Sequence, residues 1–404
     1  MDGLEEFHDP EKISERLAFH RNVIAEEQQA TEICDAVLTG PSQWWGNSLR
    51  GVEQSQTAGM VTILIQRSEV ALRQSPPDAL ALSELAATIA AQLPPDRYPY
   101  DHVMKLRGQA MRQQAFVLSC MGRLMEAARI ADMAGVLLEQ IPIPLIEMAR
   151  LDLVRSNVAR NMGNYDKAIA YARQAGETYR DFGKRGSWLH AIDYEAAAFY
   201  SAQNYKRALE LWHSMGEHAA ILTAEQQARR LHNIGICASA LGDFDEAARS
   251  FAAAVEEFER LGLLVNRVKS GYSLGLAMHE AGRHSDAIEV LEKAQNELDA
   301  LGLEGDAALA ALTRVEALFA AGRPEEVPAI CRMLVERFAR AGNNSAAMTA
   351  LAYLRETVAY GHATPDSVRQ VRDFIRDTAL GLGGSTAKGC PEPPRTEFTT
   401  RLDG

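Results

Sequence analysis

"ALGDFDEAARSFAAA", residues 240–254, is the stretch whose reading decides the fold. Gly242 and Asp243 end one amphipathic run, and after Phe244 the small Ala247, the large Phe251 and the small Ala254 follow on one helical stripe. A glycine closes a helix in the left-handed conformation without a Cβ penalty. The Asp or Asn that follows accepts from free N–H groups at the start of the next helix. The segment therefore reads as the turn of a helical hairpin whose second helix meets its neighbours through alternating small and large side chains.

Related turns recur in "CMGRLMEAARIADMA", "NMGNYDKAIAYARQA", "AQNYKRALELWHSM", "EAGRHSDAIEVLEKA" and "AAGRPEEVPAICRML". The small residue after each turn falls at Ala127, Ala168, Ala208, Ala247, Ala287 and Val327, at intervals of 41, 40, 39, 40 and 40 residues. A period this constant is the mark of stacked supersecondary units. Gly122, Gly163, Gly242, Gly282 and Gly322 take the turn, with Asn204 expected to substitute in the third unit. Gly235 and Gly275 each lie seven residues before a turn glycine. A mid-helix glycine costs about 1 kcal/mol against alanine, so its recurrence at one register predicts close approach of the paired helix. Trp212 and Leu291 share the register of Phe251, and Ala134, Ala175 and Ala294 that of Ala254.

These residues resemble the tetratricopeptide repeat family. Its L-G pair in the first helix is met by Leu274 and Gly275. Its G-[DN]-[YF] turn and A-x-x-x-F-x-x-A second helix are met by Gly242, Asp243, Phe244, Ala247, Phe251 and Ala254. The resemblance covers about residues 102–342 and is weaker near Gly322, where Pro324 replaces the aromatic residue. The longer period resembles long-helix variants of the family. The implied fold class is all-α: an α-solenoid of antiparallel helix hairpins forming a right-handed superhelix.

The chain is accordingly divided into five parts. They are a helical lead with a Trp-Trp segment (1–56), a degenerate first hairpin (57–101), six repeats (102–342), a capping hairpin (343–381) and a disordered tail (382–404). In the degenerate hairpin "SPPD" at 75–78 marks the turn, and in the cap Gly361, Thr364 and Pro365 mark a break and a new start. Trp44 and Trp45 have two readings: a plug sealing the first hairpin, or docking anchors for a partner.

Composition narrows the function classes. A formal net charge of −12 with no basic run disfavours nucleic acid, and no apolar run approaches the length of a membrane span. The acidic start lacks a secretory signal, so a cytoplasmic location is expected. Cys34, Cys120, Cys237, Cys331 and Cys390 are odd in number and widely spaced, which argues against a disulfide framework or a thiolate zinc site. His279, Glu280 and His284 in "HEAGRH" miss the H-E-x-x-H spacing and straddle the Gly282 turn. No nucleophile elbow, Walker loop or dinucleotide fingerprint occurs. The chain is expected to be no enzyme and to use no cofactor and no metal.

In the resembling family the first helices line an inner groove. Carried over register by register, this places Gln109, Arg112, Phe116, Arg150, Asn157, Arg160, His190, Asp193, Tyr194, Tyr200, Arg229, His232, Asn233, Lys269, Tyr272 and His279 inward. Five of these are basic and one is acidic, so a basic, aromatic groove is expected inside an acidic protein. Arg forks grip carboxylates at two points, and Tyr adds contact area at low entropic cost. The competing reading is that these side chains bridge adjacent helices in local ion pairs. Arg229, Asn233 and Lys269 partly match a carboxylate clamp, whose usual Lys is replaced by His232. The expected function is a non-catalytic scaffold or adaptor that binds a peptide segment of a partner, acidic or carboxylate-terminated. The alternative is a peptide-responsive regulator whose N-terminal helices act on a second protein. Oligomeric state stays open.

Overall fold

The computed structural model describes residues 10–340, 351, 352, 354, 361 and 364–379. Among these residues the secondary structure is helical, without strands. The expected tail, 382–404, and much of the expected cap lie outside the described residues.

The described chain falls into two compact units that divide at Ala202 and Gln203. In the first, α1 (Pro10–Val37) and α2 (Ser42–Arg50) lead into α3 (Ala58–Ala71) and α4 (Pro76–Gln92). The hairpin helices α5 (Tyr100–Cys120), α6 (Leu124–Leu138), α7 (Leu145–Asn161), α8 (Tyr165–Asp181) and α9 (Arg185–Ser201) follow. The second unit holds α10 (Tyr205–Gly216), α11 (Ala224–Ala240), α12 (Phe244–Arg260), α13 (Leu264–Glu280), α14 (His284–Ala300), α15 (Glu304–Ala320), α16 (Val327–Arg340) and α17 (Pro365–Ala379). From α3 to α9 and from α10 to α16, helices adjacent in sequence pack against each other.

The long period has a simple cause. Helices α11 to α15 are each 17 residues long, and three-residue turns make 20 residues per step and 40 per hairpin. At Gly242, with φ +80°, its own N–H donates to Ser239 O at 3.1 Å and that of Asp243 to Ala238 O at 2.9 Å. This is the paired closure of a Schellman turn. The Asp243 side chain accepts from Glu246 N at 3.0 Å and starts α12. The same closure joins one hairpin to the next at Gly262 and Gly302. The half-period of 20 residues is therefore also written in the sequence, at Gly242, Gly262, Gly282, Gly302 and Gly322. One assignment is corrected. In the third turn Gln203 takes the left-handed backbone, at φ 61°, while Asn204 caps α10 by accepting from Arg207 N.

The small and large stripe forms the core of the second unit. Ala247, Ala254 and Ala287 are fully enclosed, as are Trp212 and Leu291. A Cβ added at Gly235 would lie 2.8 Å from the Phe251 ring, and one at Gly275 2.6 Å from Leu291 Cγ. Phe251 also packs with Leu274 and Ala277 of the following hairpin. The large residue thus rests on the glycine of its own first helix and fills the space toward the next unit. Each fully buried side chain of this size is worth about 1.5–3 kcal/mol.

Near the N-terminus the two tryptophans part company. Trp45 is buried in the core of α1 to α5, and its Nε1–H donates to Gly40 O at 2.8 Å. Trp44 is 58% exposed. Glu26 of α1 accepts from Gly59 N and Tyr98 OH, and pairs with Arg97, tying α1 to the start of α3.

Candidate functional site

First helices of successive hairpins, with the start of the array, enclose a recess of about 90 Å³ in the first unit. Glu69 of α3, Arg112 and Phe116 of α5, Arg150 and Leu153 of α7 and His190 and Tyr194 of α9 line it, with Tyr179 entering from α8. The helical registers bring these side chains together because α5, α7 and α9 are equivalent members of consecutive hairpins. His190 and Tyr194, one turn apart, stand edge to face with ring centroids 5.1 Å apart.

The electrostatic centre of this region is Glu147, buried at 6% exposure. It accepts from Arg150 Nη1 at 2.8 Å, Arg112 Nη1 at 3.2 Å and Gln109 Nε2 at 3.0 Å. Burial pushes its carboxyl up, but Arg112, Arg150 and Lys105 together outweigh burial and hold it below the usual carboxylate range. Glu69 behaves oppositely: burial raises its carboxyl despite Arg112 and Arg150. Burial also pushes the Tyr179 phenol up to about 12, and the Tyr194 phenol well above its ordinary value. Both phenols are protonated donors at neutral pH. Arg150 keeps a buried Nε–H with no protein acceptor, so one guanidinium edge is fixed by Glu147 while the Nε–H is unsatisfied.

The other expected groove residues are distributed differently. Asn157 and Arg160 are buried, with Asn157 Nδ2 donating to Ser119 Oγ and Arg160 Nη2 to Asn157 Oδ1. Tyr200 is buried at 2% exposure and Asn233 at 7%. Arg229 pairs with Glu225 at 3.4 Å and Lys269 with Asp306 at 3.1 Å. His232 Nδ1 lies 2.9 Å from Ser270 Oγ, and burial, then Lys269, push the imidazole down to about 4. Tyr272 is half-buried and packs against the apolar cluster that Val368 and Val371 of α17 join. Local ion pairs thus hold several of the cations, and the register reading missed the acids that hold them: Glu147, Glu225 and Asp306. These acids were visible as i−3 of Arg150, i−4 of Arg229 and the start of the next first helix after Lys269.

The Gly282 turn brings His279 and His284 together, with Nδ1 atoms 3.1 Å apart. Among the described residues no three His, Cys, Asp or Glu side chains are grouped to hold a metal ion. No described helix is long and apolar enough to cross a membrane.

A tetratricopeptide repeat profile matches residues 153–181, the end of α7 through α8. No curated protein matches the chain. Solved folds are similar at low identity. A Pyrococcus horikoshii signal-transduction ATPase with a tetratricopeptide repeat sensor is 13% identical over 82% of this chain, with a TM-score of 0.58. The chain spans about half of that protein, 54% of its length. The apo form of RapI is 15% identical over 89% of this chain and 99% of its own, with a TM-score of 0.56. The apo quorum sensor NprR from B. thuringiensis is 12% identical over 84% of this chain and 99% of its own, with a TM-score of 0.50. Residues 153–181 thus match a tetratricopeptide repeat, and these solved structures, with the Gly-Asp turns and the small and large packing stripe, show that the chain has the tetratricopeptide-like helical-repeat fold, here with a 40-residue period.

Proposed function

We propose that this protein is a non-catalytic peptide-binding module, and that the recess over α5, α7 and α9 receives a carboxylate-bearing segment of its partner. The observation that carries this reading is Arg150. Its Nη1 is anchored on Glu147, and its buried Nε–H lacks a protein acceptor beside a recess walled by Phe116, Leu153, Tyr179 and Tyr194. A carboxylate oxygen satisfies that donor, and the protonated phenols of Tyr179 and Tyr194 add no competing charge. Aromatic walls then cover an apolar side chain next to the carboxylate. Arg229 and Lys269 are engaged by Glu225 and Asp306, so the carboxylate site is assigned to Arg112 and Arg150.

A regulatory role is the second reading. NprR is a quorum sensor, and the repeats of the Pyrococcus protein are a sensor. Trp44, exposed on α2 at the head of the array, is then the anchor through which the N-terminal helices reach a second protein.

The test is selection of a random peptide library presented both as free C-terminal acids and as amides, followed by titration of the enriched sequences. Preference for the free acid by at least tenfold, lost in Arg150→Lys, is expected. The Lys keeps the charge but removes the fork. Equal binding of acid and amide, or no enrichment, would overturn the assignment.

A further inference from the structure

The second unit carries a buried acid that the recess does not use. Glu316 lies in α15 within the largely apolar run "ALAALTRVEALFA", whose other charged residue, Arg314, pairs with Glu292, and it is fully enclosed, at 0% exposure. Its compensating cations come from α17: Arg372 Nη1 lies 2.9 Å from Oε1 and Arg369 Nε 3.5 Å from Oε2. The histidine nearby gives little help. His279 Nε2 stands 3.9 Å away, and burial, with His284 and both arginines adding to it, pushes its imidazole down to about 4. Glu280 of α13 adds a second carboxylate facing Arg369, at 3.9 Å.

Beside the arginines, Val368 and Val371 of α17 enter a cluster with Leu312 and Val315 of α15, and Tyr272 of α13 packs against that cluster. The helix therefore packs on α15, more widely than α16 does, and reaches α13, the first helix of the preceding hairpin, through Arg369 and the cluster that Tyr272 joins. Tyr272 and His279 belong to the register expected to face a groove. Among the described side chains of α17, two Val and two Arg, each pair three residues apart, face this surface.

A buried ion pair is a poor way to maximise stability, because desolvation offsets much of the attraction and an aliphatic pair would hold at least as firmly. What it does supply is discrimination. An occupant without a cation would leave Glu316 with no opposite charge beside it, while one with arginines at the same spacing supplies its ion-pair partners. We propose that the α13–α15 face is a second recognition surface, selective for a cationic amphipathic helix, and that α17 occupies it in cis as an exchangeable stand-in for a partner helix of the same pattern. Its chemistry is opposite to that of the recess in the first unit, and the proposal stands independently of it.

The experiment uses the full chain and a fluorescein-labelled peptide of residues 364–379 in an anisotropy titration. In the parent the surface is occupied. In the Arg369→Glu/Arg372→Glu chain it is vacated. The labelled peptide should bind the double variant at least tenfold more tightly than the parent, and a peptide with both arginines changed to Glu should bind the same chain at least tenfold more weakly. A second form, with a protease site inserted after Gly361 and cut after folding, keeps the native arginines and should exchange its own α17 for labelled peptide. Equal affinity for parent and double variant, or for native and charge-reversed peptides, would overturn the proposal. So would loss of the helical signal in both the double variant and the cut form, since α17 would then be a structural cap.

Discussion

At the scale of single residues, two glycines four positions apart in α13 separate conformational cost from packing gain. A Cβ at Gly275 would collide with Leu291, whereas one at Gly271 would meet nothing within 4 Å. Gly275→Ala is expected to destabilise the protein by roughly 1–3 kcal/mol through overpacking, despite the better helix propensity of alanine. Gly271→Ala should stabilise by about 0.5–1 kcal/mol. Paired thermal melts check the opposite signs; shifts of the same sign would mean that the packing at Gly275 is misassigned. Glu147 offers a second residue-level test. Glu147→Gln leaves Arg112 and Arg150 without their shared carboxylate and should cost roughly 1.5–3 kcal/mol. It should also tighten binding of a free-acid peptide, because the ligand no longer shares the guanidinium groups. Chemical denaturation and the same titration measure both effects.

At the scale of helices and turns, most of the architecture is legible in order. Gly242 with Asp243, repeated at near-constant spacing, marks closure and start, and Ala247, Phe251 and Ala254 mark the packing stripe. Periodicity gives the face a side chain occupies, not the partner it finds there. That is why the first-helix cations read as a free basic lining, while Glu225 and Asp306 hold two of them. Gln203 escaped notice because positive φ is rare outside glycine. The Glu316–Arg372 pair was out of reach because it joins residues 56 apart in sequence, outside the repeat register.

The buried titrating groups of the second unit give a prediction at this scale. His232 and His279 both sit near 4, below the ordinary 6.5, so the folded state holds fewer protons between those values and loses stability as pH falls through the window. Glu316 has the opposite sign. Raised from 4.5 to about 7 by burial against the pull of Arg372 and Arg369, it contributes stability that is present at low pH and lost as pH rises toward 7. His279 and Glu316 therefore offset each other between about 4.5 and 6.5, leaving the contribution of His232. His232→Gln should flatten the acid limb of stability relative to the parent, and Glu316→Gln should steepen it. Urea midpoints measured from pH 4 to 7.5 decide the matter. Parallel profiles in all three chains would show that these groups do not titrate as their burial dictates.

At the scale of the whole molecule, one repeat geometry supports two surfaces of different chemistry. In the first unit, Arg112 and Arg150 lie over a shared buried acid beside protonated phenols. In the second, a buried acid is met by a cationic helix. The net charge of −12 describes neither surface, because affinity for a charged peptide is set by local groups in partly desolvated sites, while distant charges are screened over about 8 Å at physiological ionic strength. The measurement that tests the central claim most directly is hydrogen–deuterium exchange of the full chain with and without a selected free-acid peptide. Binding at the recess predicts slower exchange in α5, α7 and α9 around Arg112, Arg150 and His190, with α13 and α15 unchanged. Unchanged exchange in α5, α7 and α9 while the peptide is bound would contradict it.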